Sequence, residues 1–255
     1  LLDTRVKELA GGATEMNLDS DWAGYAIVGA RYPMIKATDW VRNPEGKIIV
    51  DPVTGLPKAG DIVAVGTSDP TVRIGLNSVM KWKGFSLAAT FDYRGGHYTR
   101  PSSEYNMLFT GASYISGISG RQRFVFPNSV IEETDASGNV TYRENTDITV
   151  NDAGKTFWNG IYKQGRANQI ISAASWRLRE LSLGYDVPKK YLKKVGFLQR
   201  ASVSLVGRNL FMWTPSTNIW GDPDFTGSGN GNVGGFSGTN NVGQRSYGFN
   251  LLLSF

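Results

Sequence analysis

The last eleven residues alternate without a break. Tyr247, Phe249, Leu251, Leu253 and Phe255 fall on one face of an extended strand, and Ser246, Gly248, Asn250, Leu252 and Ser254 on the other. A strand of this kind needs an apolar medium against its first face. In a soluble domain that medium is a packed core. In a transmembrane barrel it is lipid, and about 9 to 11 tilted residues cross a bilayer. Length and pattern together match the second case.

The pattern recurs upstream. Val72, Ile74, Leu76, Met80 and Trp82 share a face whose one polar member is Ser78, while Arg73, Gly75, Asn77 and Lys81 point the other way. A turn at Lys83 and Gly84 follows. Phe85, Leu87, Ala89, Phe91 and Tyr93 then oppose Ser86, Ala88, Thr90, Asp92 and Arg94, which makes a hairpin with one apolar and one polar side. Charges on the second side suit a wet lumen better than a packed core, so Arg73, Asn77, Lys81, Asp92 and Arg94 are expected to face a lumen. Leu181, Leu183, Tyr185 and Val187 continue the theme, as do Val203, Leu205, Phe211 and Trp213. The chain thus reads as all-β, with five antiparallel strands over 72–82, 85–94, 176–187, 202–213 and 245–255. By strict alternation Arg177 and Arg179 share the parity of Leu183 and Tyr185. That sets them on the apolar side, to meet lipopolysaccharide phosphates or a carboxylate of a neighbouring strand.

Connector lengths add a topology. The 83–84 turn is tight, and the stretch 188–200 is compact, with Tyr191, Leu192 and Val195 spaced as one amphipathic helical turn. The connections 95–175 and 214–244 are long. Outer-membrane barrels keep short turns on the periplasmic side and long loops outside. With Phe255 ending in the periplasm, the five strands run down, up, down, up, down, and every connector falls on the side its length demands. Residues 1–70 then read as a mainly extracellular loop and hairpin region, and residues 71–255 as the barrel strands with their loops. Within the first region a turn at 43–47, a short strand at Ile48–Val50 and a turn at 51–57 are expected, with Trp22 to Val28 in a loop hairpin. Trp40, Trp158, Trp220, Asp222 and Asp224 lie in the external segments and are the candidate contacts for a ligand or partner. Loop packing for the tryptophans, and turn formation for the aspartates around Pro223, are the competing readings.

Composition narrows the chemistry. The 31 glycines and 12% aromatics suit a β-rich, loop-rich protein, and no apolar run reaches the length of a transmembrane helix. The absence of cysteine excludes disulfide and thiolate chemistry. The net charge of +5 does not indicate nucleic acid, because the basic residues are scattered and their densest run, Lys189, Lys190, Lys193 and Lys194, sits in one connector. His97 is the only histidine, placed at a strand exit, and reads as a rim residue rather than a catalytic base. Gly229, Gly231 and Gly234 satisfy a nucleotide-loop spacing with no preceding strand or following helix. Glu132 and Glu133 read as a solvated loop. No cofactor motif or metal-ligand spacing is present, and no enzymatic activity is expected.

Five strands cannot close a barrel, for which about eight are needed. The chain opens at Leu1 with neither methionine nor signal peptide, so the remaining strands are expected in a preceding portion of the same protein.

A specific resemblance enters at Ser175 to Pro188. Trp176, Arg177, Leu178, Arg179, Leu181, Leu183, Gly184, Tyr185 and Pro188 resemble the "F-x-R-L-R-x-L-x-L-G-Y-x-x-P" segment of SusC/RagA-type TonB-linked outer-membrane proteins of Bacteroidetes. Gly207 to Phe211 is similar to that family's "S-G-x-N-L-F", Trp220 to Asp224 to its "G-x-D-P-E", and Phe255 to its aromatic terminus. Gly66, Asp69 and Pro70 before Val72 resemble its "G-x-x-x-P", and Arg123 to Val130 the "R-F-V-x-P-N-S-V" of one subgroup. The order is collinear over most of residues 45–255. The resemblance implies a plugged barrel of about 22 strands, importing oligosaccharides or peptides together with a SusD-like lipoprotein. Its partners would be the plug and other strands, the TonB complex, and outer-membrane lipid. Tyr247, Phe249, Leu251, Leu253 and Phe255 would form the signal read by the barrel-insertion machinery. The alternatives are a soluble β-sandwich binding module and a passive porin.

Overall fold

The computed structural model describes residues 3–18, 23–120, 122–150, 154–194, 196–224, 236–237 and 243–255. Five strands precede the first long alternating run: β1 (Glu15–Asn17), β2 (Ala23–Ile27), β3 (Met34–Trp40), β4 (Ile48–Val50) and β5 (Ala59–Thr67). The alternating hairpin is β6 (Val72–Trp82) and β7 (Phe85–Gly95). Lys83 and Gly84 both take positive φ, 46° and 91°, the left-handed pair that a two-residue hairpin turn requires.

Between β7 and the next long strand lie β8 (Tyr98–Pro101), α1 (Ser102–Phe109), α2 (Tyr114–Gly117), β9 (Phe124–Val125), β10 (Ser129–Thr134), β11 (Val140–Glu144) and β12 (Thr149–Val150). α3 (Lys155–Asn159), a 3-10 segment at Ile161–Gln169 and β13 (Ile171–Ser172) complete that stretch. The chain ends with β14 (Ser175–Asp186), α4 (Lys189–Leu192), β15 (Arg200–Trp213), β16 (Phe236–Ser237) and β17 (Ser246–Ser254).

The five strands expected from alternation form one antiparallel sheet in the order β17-β15-β14-β7-β6. Its register aligns apolar residues into rows across strands. Met80, Leu87, Leu183, Leu205 and Phe249 form one row, and Leu76, Phe91, Leu178 and Phe211 another. On the opposite face Gly75 stands across from Asp92, Asn77 from Thr90, and Lys81 from Ser86.

In β14 alternation fails at one place. Arg179 is an extra residue in β14: Leu178 pairs with Phe91 and Glu180 with Thr90, the immediately preceding residue of β7. This β-bulge switches the parity of everything below it. Trp176 and Leu178 therefore share a face with Leu181, Leu183 and Tyr185, and Arg177 stands opposite Asp92. The expectation that Arg177 and Arg179 lie on the apolar side is overturned, because alternation counts residues and a bulge adds one.

The long segments are not bare loops. β10 pairs in parallel with β4 and antiparallel with β11, so residues 48–50 and 129–131 lie side by side although far apart in sequence. Trp40, Val50, Phe126, Ile131, Val150 and Phe157 make a buried cluster, flanked by Leu56, Phe124, Trp158 and Tyr162. Gly165 seats this core: a Cβ there would come 2.0 Å from the Trp40 indole. A separate sheet, β1-β2-β3-β5, holds Ala23–Ile27 outside the five-stranded sheet, as a loop hairpin would; Trp22 lies outside the described residues. Ile48–Val50 is the short strand expected, closed by turns in which Asn43 Oδ1 accepts from the Lys47 N–H at 2.8 Å and Asp51 Oδ1 from the Thr54 N–H at 2.8 Å. In the compact connector Leu192 is buried and Tyr191 exposed, while Val195 lies outside the described residues.

Candidate functional site

The five-stranded sheet has two unlike surfaces. On the apolar one, Ile74, Leu76, Met80, Leu183, Leu205, Phe249 and Leu251 are exposed although their rows would make a core if anything covered them. Aromatic rows bound this surface at both ends. Trp82, Phe85 and Tyr185 align at the end of the short connectors, and Tyr93, Trp176 and Trp213 at the other. The two rows are eight residues apart along β6, about 26 Å at 3.3 Å per residue. Rows assembled from several strands are invisible in any single strand's alternation. The aromatic residue at or near each strand end was the available signal.

The expected terminal residues Tyr247, Phe249, Leu251 and Leu253 lie on this apolar face of β17, opposite Gly207, Leu205, Val203 and Ala201. Phe255 stacks on Phe197, with ring centroids 5.9 Å apart and planes 10° apart. β17 and β6 are the two edges of the sheet.

The opposite face is polar and carries Arg73, Asn77, Lys81, Asp92 and Arg94, as alternation requires. Its charged end is an ion cluster. Arg177 donates from both terminal nitrogens to the Asp222 carboxylate, one of these bonds being 2.6 Å, and its Nε lies 3.3 Å from Asp224. Arg179 donates to Asp92 at 2.7 Å and to Asp224 at 3.1 Å. Arg94 approaches Asp224 at 3.3 Å and Asp92 at 3.4 Å. The bulge makes this convergence possible, since it turns both arginines of β14 toward the same side. Three guanidinium groups and three carboxylates balance by count, and the Arg177 side chain is only 7% exposed. Burial would raise the Asp222 carboxyl, but the hydrogen bonds from Arg177 and the Asp224 N–H, with the charges of Arg177 and Arg179, hold it below its ordinary value.

Asp222 and Asp224, candidate ligand contacts by sequence, are both paired with arginines of the sheet. They pin the segment after β15 to the sheet's polar face. A cavity of about 350 Å³ opens beside them, lined by Arg177, Arg179, Asp222, Asp224, Gln244 and Arg245 among others.

The tryptophans divide. Trp40 is 5% exposed in the buried cluster, so its indole packs and cannot stack on a ligand. Trp158 lines a mostly apolar cavity of about 370 Å³ with Ile115, Ile118, Phe124, Phe126 and Tyr162. Trp220 is half-buried, its backbone N–H donating to Asn218 Oδ1 at 3.2 Å.

His97 is buried, and its imidazole is held down at about 4, chiefly by burial and against the pull of Asp224. Its Nδ1 has no hydrogen-bond partner among the described residues. Glu104 on α1 is also buried, accepting from the Tyr162 hydroxyl at 2.5 Å, and burial pushes its carboxyl up to about 7. Sequence reading gave no reason to single out Glu104, because only the packing of α1 against α3 and the Tyr162 side chain buries it. Glu133 pairs with Arg143 at 3.0 Å on the exposed β10–β11 hairpin. Gly229, Gly231 and Gly234 lie outside the described residues. Among the described residues no group of acidic and histidine side chains could hold a metal ion. No helix there is long and apolar enough to cross a membrane, which says nothing of crossing by strands.

No protein-family model matches this chain, and no curated protein does. Solved structures do. The RagAB peptide transporter is similar with a TM-score of 0.60 at 16% identity, covering 98% of this chain and 25% of that one. The RagAB peptide importer matches in its open-open state (TM-score 0.59, 16% identity, 98% of this chain and 25% of that one). It matches also in its closed-closed state (0.59, 16%, 97% and 25%). The chain spans about a quarter of the length of these neighbours and shares the fold of that portion.

Proposed function

We propose that this chain is the C-terminal wall of a plugged, TonB-linked outer-membrane transporter of the SusC/RagA type, which imports peptides or oligosaccharides together with a surface lipoprotein. The observation that carries this reading is the uncovered apolar face of the five-stranded sheet, bounded at both ends by aromatic rows and backed by a charged face. Lipid is the medium such a face requires, and aromatic girdles mark the two interfaces of transmembrane barrels. A β-sandwich would bury the face under a second sheet, and no described element covers it.

Edges β6 and β17 continue, in this reading, into the other strands of a barrel of about 22. Unpaired edges in hydrocarbon would cost several kcal/mol for each unsatisfied backbone group. Arg73, Asn77, Lys81, Asp92 and Arg94 line the lumen, against plug or cargo. The layer built from residues 34–67 and 96–175 stands outside the membrane, toward substrate and lipoprotein. The chain's work is to close and line a passage, with no catalytic step. The peptide-transporting neighbours support peptide among the two cargo classes.

The test is to purify the polypeptide containing these residues from native outer membranes in detergent, and to measure its intact mass and partners. A polypeptide roughly four times as long as this chain, the proportion given by the 25% coverage of the neighbours, travelling with a lipoprotein is the expected result. A species of this chain's own length, stable without detergent, would overturn the proposal.

A further inference from the structure

The cations of the sheet are distributed unevenly between its two ends. At the end bearing the long segments, Arg94, Arg177 and Arg179 are all paired with Asp92, Asp222 or Asp224. The end bearing the short connectors is different. Lys83 stands in the β6–β7 turn, Lys189 and Lys190 on α4, and Lys193 and Lys194 just beyond it, all exposed. Asp186 is the only acidic side chain between residues 181 and 221, and it is taken by Arg200 at 3.2 Å. Among the described residues the only lysine in an ion pair is Lys36, in a separate sheet.

Aromatic rings stand at the same level. Trp82 and Phe255 are 67% and 70% exposed, and Tyr191 and Phe197 are exposed beside them. Lys83 Nζ lies 4.9 Å from the Trp82 ring centroid, and Lys190 Nζ 4.7 Å from that of Tyr191. Ring and ammonium thus meet at two points of this rim, and Trp82 belongs also to the aromatic row that bounds the uncovered apolar face.

We propose that this rim is a binding surface for anionic phospholipid headgroups, with the phosphodiester on the ammonium groups and the acyl chains on the adjoining apolar rows. The proposal rests on the membrane-wall reading above. Ammonium groups on flexible stems reach a headgroup layer while their methylenes stay on apolar surface. Aromatic rings seat at the same interface. An acidic protein would explain the lysines but not the exposed rings beside them, of which Trp82 also bounds the uncovered apolar face.

The experiment uses the full-length transporter, incorporated into nanodiscs of equal parts phosphatidylethanolamine and phosphatidylglycerol, then released and examined by native mass spectrometry for retained lipid. The comparison is with the variant Lys189→Gln, Lys190→Gln, Lys193→Gln, Lys194→Gln. Wild type should retain phosphatidylglycerol over phosphatidylethanolamine by on the order of tenfold, since each basic residue near an anionic surface contributes several-fold. The variant should insert equally well and lose most of that preference. Equal retention ratios in the two proteins overturn the proposal. So does an acidic protein that copurifies with wild type alone. Failure of both proteins to enter discs of zwitterionic lipid alone would overturn the wall reading with it, and is told apart because anionic lipid plays no part in that outcome.

Discussion

The five-stranded sheet and the outer layer solve opposite problems. The outer layer is self-sufficient: Trp40, Val50, Ile131, Val150 and Phe157 are buried against one another, and its short strands β4 and β10 are brought together from distant parts of the chain. The sheet is regular and long-stranded, yet its largest apolar residues are uncovered and both of its edges are open. One region carries its own core, and the other leaves its apolar face uncovered and its two edges unpaired among the described residues. Damage to the first should stay local, and damage to the second should decide whether the protein reaches its place at all.

The sharpest way to break this contrast is the end of β17. Leu253→Ser with Phe255→Ser should reduce outer-membrane accumulation to background, read by immunoblotting of membrane fractions. Normal levels would show that the terminal apolar face is dispensable for insertion.

The ion cluster comes next. Arg177→Ala leaves the Asp222 carboxylate half-buried without its main partner, at a cost of about 3–5 kcal/mol. It should lower the temperature at which the folded form is lost on heating in detergent. Arg177→Met with Asp222→Leu should recover most of that loss, and no recovery would mean the arginine acts by something other than charge pairing.

In the outer layer, Trp40→Ala should cost about 3–5 kcal/mol of local stability by emptying the buried cluster. Limited proteolysis should then cut within residues 96–175 while membrane accumulation stays normal. Cleavage unchanged from wild type would mean the layer does not depend on this core.

The smallest effect concerns Glu104. Its ordinary value of 4.5 is lifted by burial to about 7 in the fold, so between those values the folded layer holds a proton that the unfolded chain has released. Its contribution is full below pH 4.5 and falls as pH rises to about 7, by on the order of 3 kcal/mol at most. Protease protection of residues 96–175 should weaken over that window in wild type, and less in Glu104→Gln. An identical pH dependence in both would remove Glu104 as the cause.

The sheet was legible because alternation over nine to fourteen residues is a strong signal, and its strands fall within a residue or two of the expected ranges. The outer layer was not, because strands as short as Phe124–Val125 and Thr149–Val150 are too brief to show a period, and Ile48–Val50 finds its partner at Ser129–Ile131. The ion cluster left a readable trace that alternation obscured. A carboxylate of a neighbouring strand was one of the two partners expected for Arg177 and Arg179, and Asp92 is that partner for Arg179; Asp222 and Asp224 were not legible as partners, because they lie on a loop far along the chain.

The extra residue in β14 has a consequence for how this wall tolerates change. Replacing Arg179 removes one guanidinium from a shared cluster. Deleting it would restore plain alternation, with Leu178 still opposite Phe91 and Glu180 still opposite Thr90, so that Trp176 and Leu178 keep the side of Leu181, Leu183 and Tyr185. A residue lost at the bulge would thin a network of charges and spare the register, whereas one added beside it, or lost elsewhere in β14, would turn part of the strand inside out.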